Sequence, residues 1–159
     1  MISTKGFSLI EALIALLVIA VGLMGIAALQ AATIYRTHTA TLQGLAAIEA
    51  QSMAAKIIAN QAALAGYNTT DAVKVIPSSK CTTITLPCSP TDMANYDLSQ
   101  WGTDLKSSLP QGKGQVACTT IPAQCTISVS WWQKRVSAAT GGTPGSSGQI
   151  LTYSLVIRP

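Results

Sequence analysis

Hydrophobic positions divide the chain into three regimes. From Phe7 onward the residues are apolar on every side, and no charge occurs between Ala12 and Tyr35. Further on, apolar residues recur at helical spacing. Projected at about 100° per residue, Leu42, Ala46, Met53, Ile57 and Leu64 fall within about 60° of one another, with Leu45 alongside. Together these patterns predict one helix from Phe7 to about Ala65, apolar all round in its first half and amphipathic in its second, with Gly66 as a natural stop. Residues 66–90 read as a turn-rich loop region containing two short β-prone pieces, Ala72–Ile76 and Thr82–Leu86. A short helix over 91–109 follows, because Leu98, Trp101, Leu105 and Leu109 keep helical spacing, Thr91 can cap its start and Pro110 ends it. Trp101 is read there as a core anchor in preference to a ligand-stacking surface.

Over 115–159 the period falls to two. Gln115–Thr119 and Cys125–Val136 read as a hairpin, with Ile127, Val129 and Trp131 alternating with Ser128, Ser130 and Trp132. Ile150–Ile157 closes the sheet, placing Leu151, Tyr153, Leu155 and Ile157 on one face. A long helix laid across an antiparallel sheet buries those faces together, which makes the predicted fold α+β.

The first regime has a further meaning. From Ala12 to Tyr35 a helix rises about 36 Å at about 1.5 Å per residue, enough to cross a hydrocarbon core of about 30 Å. Glu11 does not belong to a plain anchor, since a carboxylate at mid-bilayer costs about 2.5–3.5 kcal/mol. A partner for it is therefore expected. A secretory signal has a shorter apolar core of about 7–15 residues and a small-residue cleavage site, which Ala27–Ala32 matches poorly. Lys5 before the apolar run predicts a cytoplasmic N-terminus, with Arg36 and everything after it outside.

Composition narrows the functional classes. The chain of 159 residues is long enough for one modest domain beside the anchor, and only 10% of it is charged. Its formal net charge of +4 comes from scattered Lys and Arg with no basic stripe, so nucleic acid is disfavoured as a partner; Lys113, Lys134 and Arg135 would matter only if they cluster. One histidine, His38, with no carboxylate pair or nucleophile constellation argues against an enzyme, and no cofactor or metal site is expected. Gly141–Gly148 lacks the lysine and the pattern of a phosphate loop. The four cysteines form two pairs of equal spacing, Cys81/Cys88 and Cys118/Cys125. That spacing suits structural disulfides in an oxidising compartment better than metal. Three connectivities exist; the two local bridges are preferred because each gap can close as a turn, the second containing Pro122.

Lys5-Gly6-Phe7-Ser8-Leu9-Ile10-Glu11 followed by an apolar run resembles the class III signal of type IV pilins and pseudopilins. The resemblance implies a cleaved leader at 1–6, cut by a prepilin peptidase between Gly6 and Phe7, and N-methylation of Phe7. It also implies that 7–35 is first a membrane helix and then a filament-packing helix, with 36–159 an extracytoplasmic domain. The Glu11 carboxylate would meet the amino terminus at Phe7 of a neighbouring subunit. Glu49, on the apolar face of the spine, would pair with a strand residue or a filament neighbour, or lie at an edge. Asp97-Leu98-Ser99-Gln100-Trp101, Leu109-Pro110-Gln111-Gly112, Val129-Ser130-Trp131-Trp132, Gly22-Leu23-Met24-Gly25 and Ala54–Asn60 are similar to landmarks of PilV-type minor pilins, the type IV pilus modification proteins. The implied partners are the peptidase, other minor pilins, the major pilin, the assembly platform, the inner membrane and a tip adhesin. A pseudopilin of a type II secretion system and a DNA- or surface-binding subunit are the alternatives. No proline interrupts the membrane helix and two cysteine pairs replace the usual single one, which argues against a bulk filament subunit.

Overall fold

The computed structural model describes residues 8–82, 87–134 and 148–159. Helix α1 spans Leu9–Ala59. The chain forms two compact units, Met1–Ala40 and Thr41–Pro159, and α1 contributes its first part to one and its last part to the other.

In the first unit the large apolar side chains from Leu9 to Ile34 are all between 53% and 78% exposed. Among the described residues no other element of the unit covers them. Two threonines of this unit bond back to their own helix: the Thr33 hydroxyl donates to the Leu29 carbonyl at 2.9 Å and the Thr37 hydroxyl to the Thr33 carbonyl at 3.0 Å. Such back-bonding leaves little that needs water.

The second unit is the α+β body. Its part of α1 turns Leu42, Ala46, Ala50, Met53, Ala54 and Ile57 into the core. The α-helix ends at Ala59, earlier than the expected Ala65, and a 3-10 segment, Gln61–Tyr67, replaces its last turns. Asn60 causes the change. It leaves helical geometry (φ −127°, ψ 50°), and its amide donates to the Pro90 carbonyl at 2.8 Å and to the Tyr67 hydroxyl at 3.3 Å. Gly66 lies inside the 3-10 segment and does not stop the α-helix.

The β-prone pieces of the loop region are not strands where they are described. Ala72–Lys74 is a 3-10 turn, because the Asp71 side chain accepts from the Val73 amide and caps it. Ser79–Thr82 is another 3-10 turn, and residues 83–86 lie outside the described residues. Helix α2 spans Pro90–Ser108. Its N-cap is Ser89, not Thr91: the Ser89 hydroxyl accepts from the Asp92 amide at 3.1 Å and donates to the Asp92 carboxylate at 2.7 Å, with Pro90 in the first turn. A serine cap with proline immediately inside is the favourable combination. Leu109 caps the other end, its amide reaching Leu105 at 3.1 Å.

Three antiparallel strands follow in the spatial order β1-β2-β3: β1 Lys113–Thr120, β2 Ala123–Lys134 and β3 Gly148–Ile157. A tight turn at Ile121-Pro122, with a cis peptide, joins β1 to β2 and pairs Cys118 with Cys125. Beyond the end of β1, the Trp132 amide of β2 donates to the Pro110 carbonyl at 2.8 Å and ties the sheet to the chain leaving α2. Val116, Cys125, Ile127, Val129 and Trp131 face inward and are buried, with Leu151, Tyr153, Leu155 and Ile157 half-buried against them. Residues 135–147, including Arg135, Val136 and most of the Gly/Ser stretch, lie outside the described residues.

Candidate functional site

The N-terminal feature is a long apolar helix carrying one carboxylate. Gly6 and Phe7, the expected cleavage and methylation positions, lie outside the described residues. The described helix opens immediately after them, with the Ser8 carbonyl accepting from the Glu11 amide at 3.1 Å and the Ala12 amide at 3.3 Å. Glu11 thus sits in the first turn, where the unpaired amides favour a negative charge. It is exposed, and among the described residues no cation pairs with it. Gly22 and Gly25 have open space where a Cβ would be. The segment is long and apolar enough to cross a membrane, and its most apolar stretch is not buried. Chemically, the arrangement offers a surface that other apolar helices can cover and a single acceptor for a cation. Among the described residues no group of His, Cys, Asp and Glu could hold a metal ion.

In the second unit the residues singled out from sequence occupy structural positions. Trp101 is fully buried, and its indole N–H donates to the Glu49 carbonyl at 3.1 Å, pinning α2 to α1. Gly114 makes room for the Trp101 ring, and Gly102 lets the Ala72 turn approach α2. A Cβ on Gly102 would stand 2.6 Å from the Ala72 carbonyl carbon, and one on Gly114 would run into the Trp101 ring. Glu49 faces α2: burial raises its pKa, the neighbouring Asp104 raises it further, and Lys56 and Ser108 oppose the shift. Cys81–Cys88 and Cys118–Cys125 are both disulfide-bonded. The second bridge joins directly opposed residues of β1 and β2.

Two clusters went unseen in the sequence. One centres on Tyr67, which is fully buried and donates to the Asp97 carboxylate at 2.7 Å and to the Lys56 carbonyl at 3.3 Å, while accepting from Asn60. Burial, and then the bond to Asp97, raise its pKa well above the ordinary tyrosine value. The other closes the outer edge of β1. Thr69 and Val116 exchange amide–carbonyl bonds at 2.9 and 3.0 Å, and the Asn68 side chain bonds both the amide and the carbonyl of Cys118, mimicking a peptide group. Nothing in the sequence pattern marks either cluster, because each joins residues far apart in the chain. Ser89 as cap was legible: Ser-Pro-Thr-Asp carries both the serine and the acid three positions later.

Beside the Asn68–Thr69 strip lies a hollow of about 550 Å³ lined by Asn68, Thr69, Thr70, Gln115, Val116 and Ala117. Its walls are hydroxyls, amides and short apolar groups with no titratable side chain, which gives no purchase to acid–base or nucleophilic chemistry. Lys113 is exposed at the start of β1, whereas Arg135 and the Lys134 side chain lie outside the description.

Residues 1–27 match the Prokaryotic N-terminal methylation motif. No curated protein and no solved structure matches the chain. The motif spans Gly6, Phe7 and Glu11 and supports a type IV pilin-like or pseudopilin subunit, a structural family and not an enzymatic one. It implies processing by a prepilin peptidase and assembly with other pilins, and with the apolar helix it fits a membrane-anchored chain.

Proposed function

We propose that the chain is a minor pilin, which helps to prime assembly of a type IV pilus and is incorporated into it. The observation that carries this reading is the methylation motif on residues 1–27, running directly into an apolar helix that its own unit leaves uncovered. Cleavage after Gly6 frees the amino group of Phe7, which is cationic near neutral pH until methylation and remains so after it. In an apolar filament core the Glu11 carboxylate pairs with that group on a neighbouring subunit. The pairing offsets the burial of both charges and fixes the stagger between helices. The helix gains little from hydrophobicity on leaving lipid for the filament, so close packing at Gly22 and Gly25 and the charge pair set its arrangement. The domain faces the periplasm and then the pilus surface, where other minor pilins, the major pilin and a tip adhesin are the partners.

The PilV-type assignment rests on the Asp97–Trp101, Leu109–Gly112 and Val129–Trp132 segments. In the fold these are the α2 anchor, the α2–β1 turn and the middle of β2.

Quantifying the chain in sheared filaments, alongside a deletion strain, tests the proposal. A minor pilin is found at far below the major subunit's abundance, and its deletion abolishes or sharply reduces piliation and twitching. Loss of protein secretion with normal pili would assign the chain to a secretion pseudopilus.

A further inference from the structure

The strip that closes the outer edge of β1 also forms one wall of a hollow. Thr69 and Val116 take up each other's amide and carbonyl groups, and the Asn68 side chain takes those of Cys118. The hollow beside them, about 550 Å³, falls within the range of about 300–1,000 Å³ in which small-ligand sites lie. Its polar groups divide into those already used and those still available. The Asn68 amide is committed to Cys118, and the Thr69 hydroxyl accepts from the Asp71 amide at 3.3 Å while keeping its own proton to donate. The Thr70 hydroxyl and the Gln115 side-chain amide are exposed and form no hydrogen bond among the described residues. Ala117, exposed on the same face of β1 as Gln115, adds a methyl group between the polar ones.

These walls select among ligand classes. A nucleic acid or an acidic glycan needs cations, and none lines the hollow; Lys113 shares the face of Gln115 but stands outside the lining. The adjoining carboxylate, Asp71, accepts from the Val73 amide and lies 3.9 Å from Lys74, so it does not call for a cationic ligand. A peptide strand needs the edge groups of Val116 and Cys118, which Thr69 and Asn68 already occupy. An apolar ligand needs a wider floor than Val116 and Ala117 provide. Hydroxyls and primary amides both donate and accept, as the hydroxyls of a sugar do. A short methyl-bearing floor suits the C–H face of a sugar ring.

We propose that the hollow is a binding site for a neutral oligosaccharide. Thr70 and Gln115 bond its hydroxyls from two sides, Thr69 donates a third bond, and the ring lies over Ala117. Hydroxyls continue beyond the hollow on the outer face of the sheet, where Ser128 stands opposite Gln115 and Thr126 opposite Ala117, so a second sugar unit has groups to follow. No aromatic side chain lines the hollow to stack against a ring, which sets the affinity on the order of millimolar. The site belongs to the second unit alone and is independent of the filament reading.

The test is an NMR titration of the isotope-labelled full chain in micelles of a zwitterionic detergent, since glycoside detergents would compete. The neutral probes are maltotriose, mannotriose and tri-N-acetylchitotriose, and trigalacturonate is the acidic control. At least one neutral probe is expected to move the amide signals of Thr69, Thr70, Gln115 and Ala117 together and to saturate. Gln115→Ala and Thr70→Val each remove one hydrogen bond and lower that affinity about fivefold. Neither side chain bonds the protein, so the rest of each variant's spectrum stays that of the parent chain. Thr152→Val deletes an exposed hydroxyl of β3 that does not line the hollow, and it leaves the affinity unchanged. The proposal is overturned if no neutral probe moves those four signals, or if T152V weakens binding as much as Q115A. Tighter binding of trigalacturonate than of every neutral probe overturns it as well, because the attraction would then come from the lysines and not from the hollow.

Discussion

Glu11 is the residue whose presence a membrane anchor alone does not explain. Its position in the first turn of α1 is compatible with the helix, and its charge finds no partner among the described residues. Glu11→Ala therefore leaves membrane insertion unchanged, or slightly improved, and lowers incorporation into sheared filaments several-fold. Normal incorporation of that variant would remove the pairing from the account. Tyr67 supplies a second test at this scale. Its pKa is raised, first by burial and then by the bond to Asp97. An unfolded tyrosine ionises near pH 10, so above that pH the unfolded chain releases a proton that the folded chain retains. The stability tied to Tyr67 is thus complete below about pH 10 and is lost as the pH rises from there toward the folded value. Tyr67→Phe should cost about 1–2 kcal/mol near neutral pH, because Asp97 and Lys56 lose a donor, and should flatten the alkaline decline. Denaturant titrations at several pH values check both effects; an unchanged alkaline slope would show that another group controls it.

At the scale of elements, the two disulfides provide an internal comparison. Both close loops of the same sequence separation, 7, so the chain-entropy contribution is the same for each, about 2.5 kcal/mol. Their surroundings differ. Cys125 is fully buried in the core beside Ile127, while Cys88 is exposed at the loop leading into α2. Replacing Cys118 and Cys125 by alanine should therefore cost more than replacing Cys81 and Cys88, by about 1 kcal/mol or more, from lost packing at Cys125. Thermal melts of the two double variants decide it, and equal losses would contradict the burial argument. The same elements show what the sequence discloses. Period-two alternation located the hairpin and the closing strand, and helical spacing located α2 with Trp101 in its core, because each repeats a local rule many times. The end of α1 was not legible. Asn60 breaks the helix only because Pro90 and Tyr67, far along the chain, take up its side chain. The Asn68–Thr69 closure of β1 escaped for the same reason, and the short β-prone run at Ala72 yielded to a cap from Asp71. The methylation motif on residues 1–27 was readable because a recognition signal must be local. The role of Glu49 beside α2 was not, since it depends on how two helices meet.

At the scale of the molecule, the chain joins a unit that cannot bury its own apolar surface to one that buries its core well. Met53, Ile57, Trp101, Ile127 and Val129 are all inaccessible in the second unit, whereas every large apolar residue from Leu9 to Ile34 is more than half exposed. An uncovered surface of that extent demands lipid or other helices around it. In the proposed function, a leader cut on the cytoplasmic side with the apolar helix retained would satisfy that demand twice, first in the membrane and later in a filament. In that function the helix is kept and the mature chain begins at Phe7. Mass spectrometry of the N-terminus of the chain isolated from filaments tests it most directly. The expected first residue is N-methylated Phe7; an intact Met1, or a chain beginning near Ala32, rules this processing out.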